Sequence, residues 1–316
     1  MKTSALLSKI KGKSFRELIN AAFRNIDSLQ RAKRILIRAF DFCLPFVRKG
    51  HMEECREEIA RTASKTAFIV SPMDTLDELE LWIEQRKKGL YLRFGDGDIV
   101  LSLGKRSHLQ KADQNLAKEM KEALLIKGED VFKCLMIHSE LFGKSEFMSL
   151  GNHQNSDSYA FAFFKETFEY FVGYRIYSHV ALHYGATYHV RRTNSFLKKL
   201  KKDTRVFVGN EAIPRTVINR LFGDVPHIKT PSEDSYYGID EVESRLIQEL
   251  EKTDGFCVVC IAMGCPGRIL MKRIWSKGYN VFLFDFGSLL DGICGYQTRT
   301  WLRKTTIDYA ELLAGL

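Results

Sequence analysis

The chain has 316 residues, 45% of them apolar and 28% charged, a composition that excludes a disordered or collagen-like protein. Lys and Arg number 48 against 39 Asp and Glu, a net charge of +9. Residues 1–50 hold twelve of the basic residues and three of the acidic ones, so the other 266 residues balance at 36 of each sign. A protein basic all over is excluded, and a basic arm on a neutral body remains.

Within the arm, Phe15, Leu18, Ile19, Ala22, Phe23 and Ile26 recur at the 3, 4, 3, 4 spacing of an amphipathic helix, with basic residues on the other face. Two readings fit that pattern. The helix lies on an anionic membrane surface, where each nearby Lys or Arg adds about 1 kcal/mol, or it packs as a hairpin on the body or on a second subunit. Nucleic acid is not expected as a partner, because few aromatics interleave with the charges. The run from Ile35 to Val47 is broken by Arg38, Asp41 and Pro45 and is too short to span a bilayer. No signal-peptide pattern is expected either. The seven cysteines are odd in number and scattered, which points to a reducing cytoplasm. Cys257 and Cys260 fall in an apolar run with no second ligand pair nearby, so they read as small core residues rather than metal ligands.

Beyond the arm, apolar runs alternate with helical patterns. Strands are expected at Gly89–Phe94 and Val131–Ile137, with a helix over Gln110–Leu125 between them and an aromatic-rich helix over Ser158–Val172. Further on come strands at Arg205–Val208, His227–Lys229, Gly255–Met263 and Tyr279–Phe284. Helices at Pro214–Phe222, Gly238–Leu250 and Arg268–Ser276 separate them. This alternation predicts an α/β body over residues 66–316, Rossmann-like, with a mostly parallel sheet and helices on both faces, preceded by a basic helical arm over 1–65. Ligands of such sheets bind beyond the carboxyl ends of the strands.

Three strand ends carry glycine beside polar groups. At Arg93-Phe94-Gly95-Asp96-Gly97-Asp98 an apolar strand runs into a turn with two carboxylates two residues apart. Gly95 and Gly97 let the backbone approach a ligand. Asp96 and Asp98 suit Mn²⁺ or Mg²⁺, which completes its shell with water and substrate phosphate, and Arg93 suits a phosphate or a carboxylate of the site. Gly264-Cys265-Pro266-Gly267 opens a helix without the dinucleotide fingerprint, and Asp285 ends the next strand. Gly209-Asn210-Glu211 places an acid where it serves in proton transfer or caps the next helix. His179 and His183 lack the glutamate of a metalloprotease pair and read as ordinary, partly buried residues.

The Arg93–Asp98 segment resembles the signature of the GT-D glycosyltransferases, a bacterial family with Arg-Phe-Gly-Asp-Gly-Glu followed about a dozen residues on by Gln. Asp98 stands at the family's Glu, and Gln110 at its Gln. Later counterparts are Arg192, Glu211 with Asn219, Gly264 with Pro266, and Asp285-Phe286-Gly287. The resemblance covers roughly residues 70–300. It implies a nucleotide-sugar donor, UDP-sugar first, and a divalent metal at Asp96 and Asp98. Arg93, Gln110, Arg192, Gly209, Gly264 and Asp285 would line the donor site. It also implies a glycan or lipid-linked acceptor in surface-polysaccharide synthesis. The residues nominate Glu211 as general base with Asp285 second. Two other readings stand beside transfer, a nucleotide-sugar-binding module without turnover and a different metal-dependent phosphoryl-transfer enzyme.

Overall fold

The computed structural model describes residues 68–135, 170 and 175–316. The basic arm lies outside the described residues, as does the helix expected over 158–172 apart from Tyr170.

Eight strands form one sheet among the described residues. They are β1 (Phe68–Ile69), β2 (Gly89–Phe94), β3 (Val131–Leu135), β4 (Arg175–Ser178), β5 (Thr204–Asn210), β6 (His227–Thr230), β7 (Cys257–Ala262) and β8 (Val281–Asp285). The order across the sheet is β1-β4-β3-β2-β8-β7-β5-β6, and every pairing is parallel. From β2 the chain steps outward through β3 and β4, and from β5 it steps the other way to β6. Strands β7 and β8 then fill the middle. This arrangement leaves the carboxyl ends of β2, β8 and β7 side by side at the centre of one sheet edge, where α/β sheets place ligands.

The central strands are buried on both faces. β2, β3 and β8 are covered along their whole length, as parallel strands between helical layers must be. Alternate residues feed two cores. On one face Leu90, Leu92, Val206, Val208, Val259 and Leu283 pack with α3 (Gln114–Leu125), α7 (Ile239–Glu251) and α8 (Pro266–Ser276). The other face joins Tyr91, Phe132, Phe207, Val258, Phe282 and Phe284 to α1 (Pro72–Glu84), α4 (Ala181–Tyr188), α5 (Val190–Asp203) and α6 (Arg215–Phe222). The short α2 (Asp96–Ser102) follows β2, and α9 (Leu289–Ile293), α10 (Thr300–Lys304) and α11 (Tyr309–Leu312) close the chain. The expected Rossmann-like body is present.

Some boundaries differ from the sequence expectation for local chemical reasons. Helix α3 opens at Gln114 rather than Gln110, because the Asp113 carboxylate accepts the Leu116 N–H at 2.8 Å and a short acid caps better than Gln. Helix α1, with the Ser71 hydroxyl accepting the Asp74 N–H at its start, and the pair α4–α5 were not expected. Gly185, Thr187 and His189 interrupt the apolar spacing across α4–α5. Cys257 and Cys260 are buried in β7 as unpaired thiols, which burial pushes up to about 11 and about 12. They are core residues, as expected.

One buried cation braces the β3 side of the sheet. Lys133 Nζ donates to the carbonyls of Leu124 at 2.8 Å, Ile126 at 3.1 Å and Tyr170 at 2.8 Å. Two of these acceptors lie at the C-terminal end of α3, where carbonyls have no partner within the helix. Lys133→Met keeps the length and removes the donors, leaving buried carbonyls unsatisfied. It should cost about 1–3 kcal/mol in urea unfolding.

Candidate active site

The strand–turn–helix at Phe94–Asp98 is held by its own backbone. Gly95 N–H donates to Asp98 Oδ2 at 2.7 Å, so Asp98 caps the first turn of α2 from its third position. The other Asp98 oxygen, Oδ1, lies 3.4 Å from Nε of Arg268, in the first turn of α8. Arg268 reaches Asp285 Oδ2 with Nη2 at 3.1 Å. It also donates to the Arg93 carbonyl at 2.5 Å and the Gly264 carbonyl at 2.6 Å. Asp285 Oδ1 in turn lies 3.7 Å from Nη1 of Arg93, whose Nε donates to the His179 carbonyl at 2.6 Å.

The result is an unbroken row of alternating charges, Arg93–Asp285–Arg268–Asp98, across the ends of β2, β8 and β7. Arg93 is 7% exposed, Asp285 3% and Asp98 2%. Burial raises the Asp98 carboxyl above its ordinary value, against the opposing pull of Arg268, the Gly95 N–H and the Cys265 thiol. Asp98 Oδ1 and Asp285 Oδ2 sit at ion-pair distance from Arg268 but without a hydrogen bond. Arg268 therefore acts on them as charge more than as a directed donor.

Two glycines make the row possible. Gly287 has φ +68°, and a β-carbon there would overlap Nη1 of Arg93, so the turn after β8 closes over the guanidinium. Gly264 also takes φ +68°, which turns the chain from β7 into α8 and aims its carbonyl at Arg268.

The structure brings together Arg93, Gly95, Asp98, Gly264 and Asp285 from the sequence-derived set. Gly97 lies against the same group, since a β-carbon there would come 3.0 Å from Cys265 Sγ. Asp96 opens α2, but its side chain lies outside those described. Gln110 is a neighbour that ties loops together. Its amide donates to Ser235 Oγ at 3.4 Å and accepts the Tyr236 N–H at 3.3 Å. Gly209 is a packing glycine, because a β-carbon would strike the Phe207 ring two residues back. Glu211 is exposed just past the end of β5 and does not cap α6, whose cap position is Pro214. Arg192 is committed to α1, where it pairs with Asp77 at 2.5 Å and with Glu80.

Sequence reasoning missed Arg268, His183, Ser288 and Trp301. His183 is 4% exposed, with Nδ1 3.4 Å from Arg93 Nη2 and Nε2 3.3 Å from Ser288 Oγ. Burial and the nearby Arg93 hold its imidazole well below the ordinary histidine value, so it stays neutral. The only sequence signal for His183 was its spacing from His179, and that spacing suggested a zinc pair for which the partner acid was missing.

The sequence leads one to expect a divalent cation at Asp96 and Asp98. No three His, Cys, Asp or Glu side chains among them gather into a group that could hold a metal ion. Between Asp98 and Asp285 the place of a cation is taken by the Arg268 guanidinium. As described, these residues do not fit a resident metal, and that expectation rests on Asp96.

The model of the glycosyltransferase GT-D fold matches residues 91–294, which is more than half of the chain and includes all four charged residues of the row. The chain belongs to the glycosyltransferase GT-D family. Three solved structures share its fold at low identity. A glycosyltransferase of domain-of-unknown-function 1792 from Streptococcus sanguinis is 16% identical with TM-score 0.51, covering 78% of this chain and 92% of its own. A selenomethionine structure of the same domain is 18% identical with TM-score 0.54, covering 84% and 94%. A third, described as that highly conserved domain with a distinct glycosyltransferase fold, is 18% identical with TM-score 0.53, covering 85% and 94%. No curated protein matches.

In this GT-D protein Arg268 neutralises two buried carboxylates at once. Arg268→Ala should destabilise the fold by about 3–5 kcal/mol at neutral pH, because it strands buried charge. Burial already raises the Asp98 carboxyl, and losing the opposing pull of Arg268 raises it further above its unfolded value, so acid relieves the penalty. The stability gap to wild type, read by urea unfolding, should therefore narrow from pH 7 to pH 4.

Proposed function

We propose that this GT-D protein transfers a sugar from a nucleotide-sugar, UDP-sugar being the first donor to test, to a glycan or lipid-linked acceptor of a surface polysaccharide. The observation that supports it is the convergence of Arg93, Asp98, Arg268 and Asp285 at the central strand ends, inside the region matched by the family. Such transfer needs stabilisation of the diphosphate as it leaves and a base for the acceptor hydroxyl. Asp285 is bound to two arginines, whereas Glu211 is exposed at the end of β5, so Glu211 is the base in this reading. Dependence of donor binding on Mn²⁺ or Mg²⁺ is a separate arm of the test.

The paired state of Asp98 and Asp285 favours one rival, a module that binds a nucleotide-sugar without turning it over. Calorimetry with UDP-, GDP- and dTDP-sugars, with and without Mn²⁺, decides the first point. One donor class should bind, and Asp96→Ala should weaken it at least tenfold. Binding of none under either condition sinks the proposal. Hydrolysis or transfer of the bound donor then separates enzyme from module, and Glu211→Gln should lower kcat by about 100-fold or more.

The arm is proposed to seat the protein on anionic lipid at the cytoplasmic face. No helix among the described residues is long and apolar enough to cross a membrane. Flotation with anionic liposomes should be lost on removing residues 1–50 and weakened by salt. A truncated chain that floats as well as the full one would refute this role.

A further inference from the structure

Ser288, His183, Arg93 and Asp285 form a linear constellation that looks at first like a hydrolytic triad with one extra member. The hydrogen-bond inventory decides otherwise. A guanidinium has donors and no acceptor, so at the Arg93–His183 contact the imidazole Nδ1 must be the acceptor. A neutral imidazole with an accepting Nδ1 carries its proton on Nε2. That nitrogen faces Ser288 Oγ at 3.3 Å and therefore donates to it. Trp301 Nε1, also a donor without acceptor capacity, reaches the same oxygen at 3.1 Å. The indole packs edge-on to the His183 ring with centroids 4.5 Å apart, which fixes both groups.

Both lone pairs of Ser288 Oγ are thus filled by donors from the protein. Ser288 sits at the cap position of α9 but makes no side-chain cap bond there, so its hydroxyl is not spent on the helix. The hydroxyl proton has no acceptor among the described residues. It lies three residues past Asp285, at the edge where the charged row ends, and is half-buried. His183 cannot take that proton, since its Nε2 already carries one.

We propose that Ser288 is a substrate-binding donor, directed by His183 and Trp301 onto a phosphate oxygen of the bound nucleoside diphosphate. This rests on the nucleotide-sugar reading above. His183 is a positioning residue. The charged and titratable groups around it are Arg93, His179 and Arg299, with Asp285 behind Arg93. Arg93 and Arg299 have no acceptor to offer, and at Nδ1 the contact is with Arg93.

Two measurements test the assignment. Nitrogen-15 NMR of the histidine rings should show His183 as the neutral Nε2–H tautomer from pH 7 to pH 5.5. An Nδ1–H tautomer, or an imidazolium at pH 7, overturns the orientation argument. Calorimetry with UDP should show binding weakened about tenfold or more by Ser288→Ala and restored by Ser288→Thr, while uridine, which lacks phosphate, is affected by neither. Thermal unfolding of the variants near that of the wild type confirms that the fold is intact. If wild type binds UDP and Ser288→Ala binds it equally well, this assignment alone falls. If wild type binds no nucleoside diphosphate, the nucleotide-sugar reading falls and takes the assignment with it.

Discussion

The fold depends at its functional edge on one buried run of opposite charges. Arg93, Asp285, Arg268 and Asp98 come from β2, β8, α8 and α2, and no two adjacent members of the row belong to the same element. Each ion alone would be costly to bury, and each is tolerable because its neighbours carry the opposite sign. Three loops are thereby locked in one register. The turn after β8 has to pass over Arg93, which explains the glycine at 287, and the chain after β7 has to present the Gly264 carbonyl to Arg268. A site built this way is rigid before any ligand arrives, a condition that favours charge-stabilising catalysis.

Much of this architecture was legible in the sequence, and the reasons differ by element. β2 was read at its true limits because six consecutive residues end abruptly at a glycine turn. β7 and β8 were found because a strand buried on both faces is a continuous apolar run. The start of α3 was misplaced because Gln110 carries a resemblance to the family motif, while the residue that caps the helix is Asp113. α5 was missed since six basic residues on its open face hide the stripe of Phe196, Leu197 and Leu200.

The site was half legible. Arg93, Asp98 and Asp285 stand beside glycines at strand ends, a local signature that can be read along the chain. Arg268 has no such signature. In the sequence it is one more basic residue in an amphipathic helix, and its meaning comes from partners 175 and 170 positions before it and 17 after it. His183 is the same case on the opposite face. Its role follows from a neighbour that can only donate, so an arginine where a triad has its acid reverses the direction of every hydrogen bond up to Ser288. Similar side chains in similar order do different chemistry when the sign of the third group changes.

The balance of the charged row has a consequence for how the molecule answers its surroundings. Two positive and two negative groups, nearly all removed from solvent, present little net field and are poorly reached by mobile ions. All of the chain's excess charge lies elsewhere, in residues 1–50. A change in salt should therefore leave the geometry of the strand-end cluster almost untouched, and with it the chemistry that the cluster supports.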